Sequence, residues 1–128
     1  LGPVRPMTQI EVSLSDARAL GIDPPLRQSG TLGGAAGVRL IGSAGAVEAP
    51  DSVIIAQRHM HLHPSDAARL GLKDGEIVRV RAGSPAQRPA VFEGVVARVS
   101  EKFALEFHLD TDEANAAWVK TGDVAYLA

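Results

Sequence analysis

A recurrence constrains this fold more than any single motif does. Sliding the chain by 50 positions lays Glu11-Val12-Ser13-Leu14-Ser15-Asp16-Ala17-Arg18-Ala19-Leu20-Gly21-Ile22 onto His61-Leu62-His63-Pro64-Ser65-Asp66-Ala67-Ala68-Arg69-Leu70-Gly71-Leu72. Ser, Asp, Ala, Leu and Gly coincide, and Ile meets Leu. In both copies a strand-like segment runs into a capped, Gly-terminated helical turn. Such a repeat implies repeated architecture, here two small and similar β units.

The rest of the chain fits this plan. The 13 Gly and 8 Pro residues cut it into short segments, most of them strand-like, with two or three short helices. Residues 8–13 alternate polar and apolar, as a half-buried strand does. Residues 15–21 read as a helix ending at Gly21. Residues 38–41 and 52–56 read as strands, with residues 42–45 as a turn, and Gly33 to Gly37 also reads as a turn because it lacks the Lys-Ser/Thr of a phosphate loop. Residues 75–81 and 91–99 read as strands around the polar loop 82–89. Residues 103–109 form another strand-like run, 111–118 a helix capped by Asp110 or Thr111, and 123–127 a closing strand. Trp118 and Phe107 are expected as core or interface anchors. Asp110, Asp112 and Glu113 are expected to serve the helix start, with Asp110 as a possible orienting partner of His108.

The chemistry concentrates in Arg58-His59-Met60-His61-Leu62-His63-Pro64. On a strand, His59 and His61 face the same side, roughly 7 Å apart at about 3.3 Å per residue. That spacing suits two ligands of one metal ion. A lone His is more often a surface or core residue, but a His-x-His pair on an apolar strand is less ordinary. His108 lies in the run 103–109; if that strand pairs beside the first, three imidazoles converge, which is how catalytic zinc sites with an open position are built. His63, next to Pro64, is expected at the surface. In the repeat alignment Gln9 takes the place of His59 and Glu11 that of His61, although an exposed strand position is the more ordinary fate of a Glu.

Composition narrows the options. The 128 residues are 45% hydrophobic but only 4% aromatic, so the core must be aliphatic. The net charge of −2, with no basic block, argues against a nucleic-acid partner. With no Cys, any transition metal must be held by imidazole and carboxylate. No apolar stretch approaches the roughly 20 residues of a membrane span, and no signal peptide is seen, so a cytoplasmic protein or a fragment of one is expected.

Three blocks then carry a resemblance: Arg5-Pro6-Met7-Thr8-Gln9-Ile10-Glu11-Val12-Ser13-Leu14-Ser15-Asp16-Ala17; Arg58-His59-Met60-His61 with Pro64-Ser65-Asp66-Ala67; and His108-Leu109-Asp110-Thr111-Asp112-Glu113-Ala114-Asn115-Ala116. In order and spacing they resemble the PduL-type phosphotransacylases, the phosphate propanoyltransferases of bacterial microcompartments that serve propanediol degradation. The resemblance implies a mainly β fold of two similar small β-barrels capped by short α-helices, with residues 1–56 as the first unit and 57–128 as the second. It implies transfer of an acyl group between coenzyme A and inorganic phosphate. Carried over by match, His59, His61 and His108 would ligate one zinc, Glu11 would contribute to a second, Arg5 would bind phosphate, and Gln9, His108 and Asn115 would lie toward coenzyme A. It further implies a homodimer or higher oligomer in the lumen of a microcompartment.

The family also carries a His-x-His pair on N-terminal strands that nothing in this sequence matches. An N-terminal partner segment or a separate chain is therefore expected to complete the second metal site and the strand edges. Two other readings stand beside the transferase: a metal-binding β module inactive without its partner segment, and a zinc metallohydrolase whose general base would be Glu11 or Glu106.

Overall fold

A computed structural model describes residues 4–128. Among the described residues the chain is mainly β with three short helices, and it divides into two compact units, Leu1–Gln57 and Arg58–Ala128.

In the first unit, β1 (Ile10–Glu11) leads into α1 (Leu14–Leu20). Ser13 is extended and its hydroxyl accepts the Asp16 N–H at 3.2 Å, satisfying one of the donors a helix start leaves free. Gly21, at φ +69°, ends the helix by turning its N–H back to the Ala17 and Arg18 carbonyls, a left-handed conformation that costs other residues about 1–2 kcal/mol. Seven residues cannot hold a helix in isolation; Ala17, 1% exposed, is its buried anchor. β2 (Leu26–Arg27), β3 (Ala36–Gly42) and β4 (Gly45–Ala56) follow. The far end of β4 is flanked by β1 and β2, both parallel to it, and β3 pairs antiparallel through a tight turn between Gly42 and Gly45.

Two expectations need correcting here. Ala36 and Gly37 are part of β3 rather than of a turn, and β4 begins at Gly45 rather than at residue 52. Pro50 argues against a strand, but the ladder absorbs it as a bulge: Ala36 pairs with Val53 while Val38 pairs with Ala49. The bulge contains Asp51 at φ +44° and the buried Ser52, whose hydroxyl donates to the Ala49 carbonyl at 2.7 Å.

The second unit is a five-stranded sheet ordered β8-β5-β7-β6-β9, with β5 (His59–Leu62), β6 (Ile77–Ala82), β7 (Ala90–Val99), β8 (Glu106–His108) and β9 (Ala125–Leu127). α2 (Pro64–Leu70) follows β5, and α3 (Thr111–Ala117) follows β8. Met60 and Leu62, the alternate residues of β5, enter a core with Ala67, Val80, Phe92, Val95 and Ala97. This core is mostly aliphatic, as the composition requires.

α2 repeats the bounds of α1 at the 50-position offset. His63 caps it, Gly71 at φ +69° ends it, and Ala67 is its buried anchor. His63 is thus not an idle surface side chain: its Nδ1 accepts the Ser65 N–H at 3.3 Å and lies 2.7 Å from the Ser65 hydroxyl. α3 is capped by Asp110, whose side chain accepts the Glu113 N–H while the Glu113 carboxylate accepts the Asp110 N–H. This occupies Asp110 as a cap rather than as a partner of His108. Trp118 lies outside the core. It ends α3 in a left-handed conformation, φ +53°, and is 64% exposed, whereas Phe107 packs against the core. The strand–helix module recurs, but both sheets are open in their hydrogen bonding among the described residues.

Candidate metal centre

β5 lies between two partners, and this builds the site. On one side it pairs parallel with β7, setting His61 opposite Arg98. On the other it pairs antiparallel with β8, setting His59 directly opposite His108 and His61 opposite Glu106. A strand presents alternate residues to one face, so while Met60 and Leu62 are buried in the core, His59 and His61 share the other face, with His108 beside them.

The three imidazoles converge. Ring centroids are 4.8 Å apart for His59 and His61, 4.8 Å for His59 and His108, and 4.5 Å for His61 and His108. One ring nitrogen from each lies within 4.8 Å of the other two, and all three residues are half-buried. The Nε2 atoms of His61 and His108 are buried with no hydrogen-bond partner. Glu106 Oε2 is 3.4 Å from His108 Nε2, close enough to pair electrostatically but not a hydrogen bond. Buried polar nitrogens without partners are costly, and here two of them belong to a set of three imidazoles that can each bring a nitrogen within 4.8 Å of the others. That arrangement fits a metal ion.

Electrostatics favours the metal-ready form. His61 has its pKa lowered from 6.5 to about 4, first by desolvation and then by the neighbouring His108, His59 and Arg98, with Glu106 opposing. A ring with this pKa is neutral at pH 7, and only neutral imidazole offers a lone pair to a metal.

The strand carrying His108 is shorter than expected. β8 spans only Glu106–His108, and Phe103 lies in the turn that follows β7. The turn is tied down by the Phe103 N–H to the Ser100 carbonyl, 3.0 Å, and by the Ser100 N–H to the Leu62 carbonyl, 3.0 Å. Phe103 therefore sits beside β5, with its ring stacked on His61. Arg58, immediately before His59, bonds the Glu113 carboxylate at 2.7 Å and so joins the start of β5 to the start of α3. Burial raises the Glu113 pKa in spite of that arginine. Asn115 is on the exposed side of α3. A cleft of about 880 Å³ runs along this unit, lined by His108, Met60, Phe107, Leu109, Val124 and Tyr126 among others.

The other expected site residues lie in the first unit and form one polar cluster. Gln9 Nε2 donates to Glu11 Oε1 at 2.6 Å and to the Ser29 hydroxyl at 2.9 Å. Arg5 Nη2 donates to the same hydroxyl at 3.3 Å, and Gln9 Oε1 accepts the Gly30 N–H at 2.9 Å. Arg5 and Glu11 are exposed. Sequence reasoning missed Ser29 because nothing in the sequence links a loop serine to residues 20 and more positions away. Phe103 was read only as a strand residue, and the Arg58–Glu113 pair has no local signature at all.

Fold and site define a mainly β protein with a three-imidazole centre suited to a metal ion. The chain belongs to the phosphate propanoyltransferase family, whose model matches residues 1–120. It is 52% identical over 127 residues to the phosphate propanoyltransferase of Thermotoga maritima, covering 99% of this chain and 60% of that protein. It is also 52% identical over 127 residues to that of Rhodopseudomonas palustris, covering 99% of this chain and 55% of that protein. The Salmonella typhimurium protein of the same name is 49% identical over 117 residues, 91% of this chain and 55% of its own length. The chain thus spans between 55% and 60% of the length of these curated relatives.

Proposed function

We propose that the chain is a zinc-dependent phosphate acyltransferase, moving a short acyl group, propanoyl or similar, between coenzyme A and inorganic phosphate. The observation that carries this reading is the convergence of His59, His61 and His108, with two buried and unpartnered Nε2 atoms, in a member of this family.

His59, His61 and His108 would hold one zinc, and Glu11 would contribute a carboxylate to a second. Bound there, the metal would supply a Lewis acid for the thioester carbonyl and a soft partner for sulfur. The chain's own residues do the rest. Arg5, whose guanidinium already reaches the Ser29 hydroxyl, binds the phosphate and aims one oxygen at the acyl carbon. Gln9 bridges Ser29 and Glu11 and so holds the polar cluster in one arrangement; its role toward coenzyme A rests on the family resemblance. His108 lines the cleft of the second unit, where coenzyme A would approach it, and the family resemblance gives Asn115 a place near the same substrate. In the reaction an oxygen of hydrogen phosphate bonds to the carbonyl carbon as the phosphate gives up its proton, the C–S bond breaks, and the thiolate leaves and takes up a proton in its place. The products are acyl phosphate and coenzyme A. No nucleophilic side chain is required, in keeping with a chain that has no Cys.

A homodimer or higher oligomer, working in the lumen of a bacterial microcompartment, completes the reading, supported by the family resemblance.

The test is consumption of propanoyl coenzyme A with and without phosphate, on the chain as it stands, after metal removal, and after zinc is restored. Phosphate-dependent release of coenzyme A that follows zinc supports the transferase. Release independent of phosphate overturns it in favour of a hydrolase using Glu106, whose carboxylate is 3.4 Å from His108. A second reading has its own support in the relatives' greater length and in the open edges β8 and β9. In it the chain binds metal but turns over only when a further segment or partner chain is supplied. One bound zinc without activity would favour it.

A further inference from the structure

Metal-ligating histidines are usually oriented by a hydrogen bond from their other ring nitrogen to a carboxylate or carbonyl, and that partner matters almost as much as the ligand. His61 has a contact of another kind. Its buried Nε2, without a partner, is free for a metal. What fixes the plane of the ring is a face: the Phe103 phenyl is stacked on it with centroids 3.8 Å apart and planes 8° from parallel. The phenyl is held in turn. The Arg98 guanidinium carbon lies over it, 5.7 Å from its centroid, and Arg98 is the residue paired with His61 across β5 and β7. The turn bearing Phe103 is bonded through Ser100 to Leu62, the residue after His61. Ligand, phenyl ring and arginine are thus cross-linked by two strands and one turn.

We propose that Phe103 is the positioning residue of His61: it sets the ring plane by stacking on its face and thereby raises the affinity of the three-imidazole centre for its metal. This rests on the metal reading of that centre. Only the phenyl face acts in this way, so another aromatic residue should substitute and an aliphatic one should not, even at similar volume. The same stacking removes one side of the imidazole from water without adding a group that competes with the metal for its lone pair. Arg98 supports the phenyl and takes no part in ligation, since a guanidinium offers no lone pair.

The experiment is a zinc titration against a chromophoric chelator, with the visible spectrum of the cobalt-substituted chain as a second readout. Phe103→Leu is expected to weaken zinc binding about 10–100-fold, the range for partners of metal ligands, and to alter the cobalt spectrum. Phe103→Trp is expected to restore both. In a His61→Ala background, titrated at millimolar zinc, Phe103→Leu is expected to cost nothing further, because it acts through a ring no longer present. Independently of any variant, the His61 ring protons of the metal-free chain are expected to resonate upfield under the phenyl ring current. Unchanged affinity in Phe103→Leu, an equal loss in the His61→Ala background, or the lack of an upfield shift would each overturn the proposal. A parent chain that takes up no zinc would instead overturn the metal reading itself.

Discussion

The two strand–helix modules of this chain are alike in local structure and unlike in what they present. Each has a cap with an extended backbone, Ser13 or His63, a seven-residue helix anchored by a buried alanine, and a glycine at φ +69°. The difference lies in the strand before the helix. β1 is two residues long and pairs along one side with β4. β5 is four residues long and is held on both sides, by β7 and β8. Near β1, Gln9 donates hydrogen bonds to both Glu11 and Ser29. On β5, His59 and His61 are half-buried and pressed against a third imidazole. The local module fixes which way a side chain points; the neighbouring strands decide whether it meets water, a hydrogen bond or a metal.

Breaking the imidazole set should have the largest effect. His61→Ala is expected to lower zinc affinity by more than the roughly 100-fold upper range for supporting residues, whereas Glu11→Ala leaves the affinity of that centre unchanged; zinc titration of the two variants checks this. If Glu11→Ala is as damaging, the two modules are not chemically distinct. Next comes the core. Leu62→Ala, at a fully buried position in the larger cluster, is expected to cost about 2–5 kcal/mol in urea unfolding. Leu32→Ala, in the small cluster with Ala35 and Ile54, should fall at the low end of that range.

The third prediction concerns pH. The folded chain holds the His61 pKa near 4 against an ordinary 6.5, so between those values the unfolded chain binds the proton first. Stability of the metal-free chain is therefore flat above about 6.5 and falls as pH drops toward 4. Denaturation midpoints across that window check it, and His61→Gln should flatten the slope; proton NMR should place the His61 midpoint near 4.

The smallest effects test the likeness of the modules. Gly21→Ala and Gly71→Ala should each cost about 1–2 kcal/mol and match one another, because both positions have the same φ and open space around an added Cβ. Ser13→Ala should cost about 1 kcal/mol and His63→Ser should change stability by no more than a few tenths. Thermal unfolding resolves all four.

Much of this was legible because it is local. The cap at Asp110, the terminating glycines, the turn at residues 42–45 and the shared face of His59 and His61 all follow from neighbours within four residues. Errors arose where a distant partner overruled the local signal. Residues 52–56 read as a separate strand, yet β4 begins at Gly45 and its ladder with β3 passes Pro50 through a bulge. Residues 103–109 read as one strand, yet the turn bonded to Leu62 takes Phe103 out of it. His63 is a different case: its cap is local and exposed, with Nδ1 accepting the N–H of Ser65 two residues on, and it reads as surface because a histidine cap is unusual.

By itself, then, the sequence determined the repeated module, the mainly β character, the His59–His61 face and the family, because side-chain alternation and cap chemistry act over one or two turns of chain. Only the tertiary structure decided that His108 would lie opposite His59, that Phe103 would cover His61, and that Arg5, Gln9, Glu11 and Ser29 would share hydrogen bonds. Those contacts join residues tens of positions apart. They are set by which strands pair and in which register, and that depends on burying Met60 and Leu62 in a common core rather than on any pattern within a single segment.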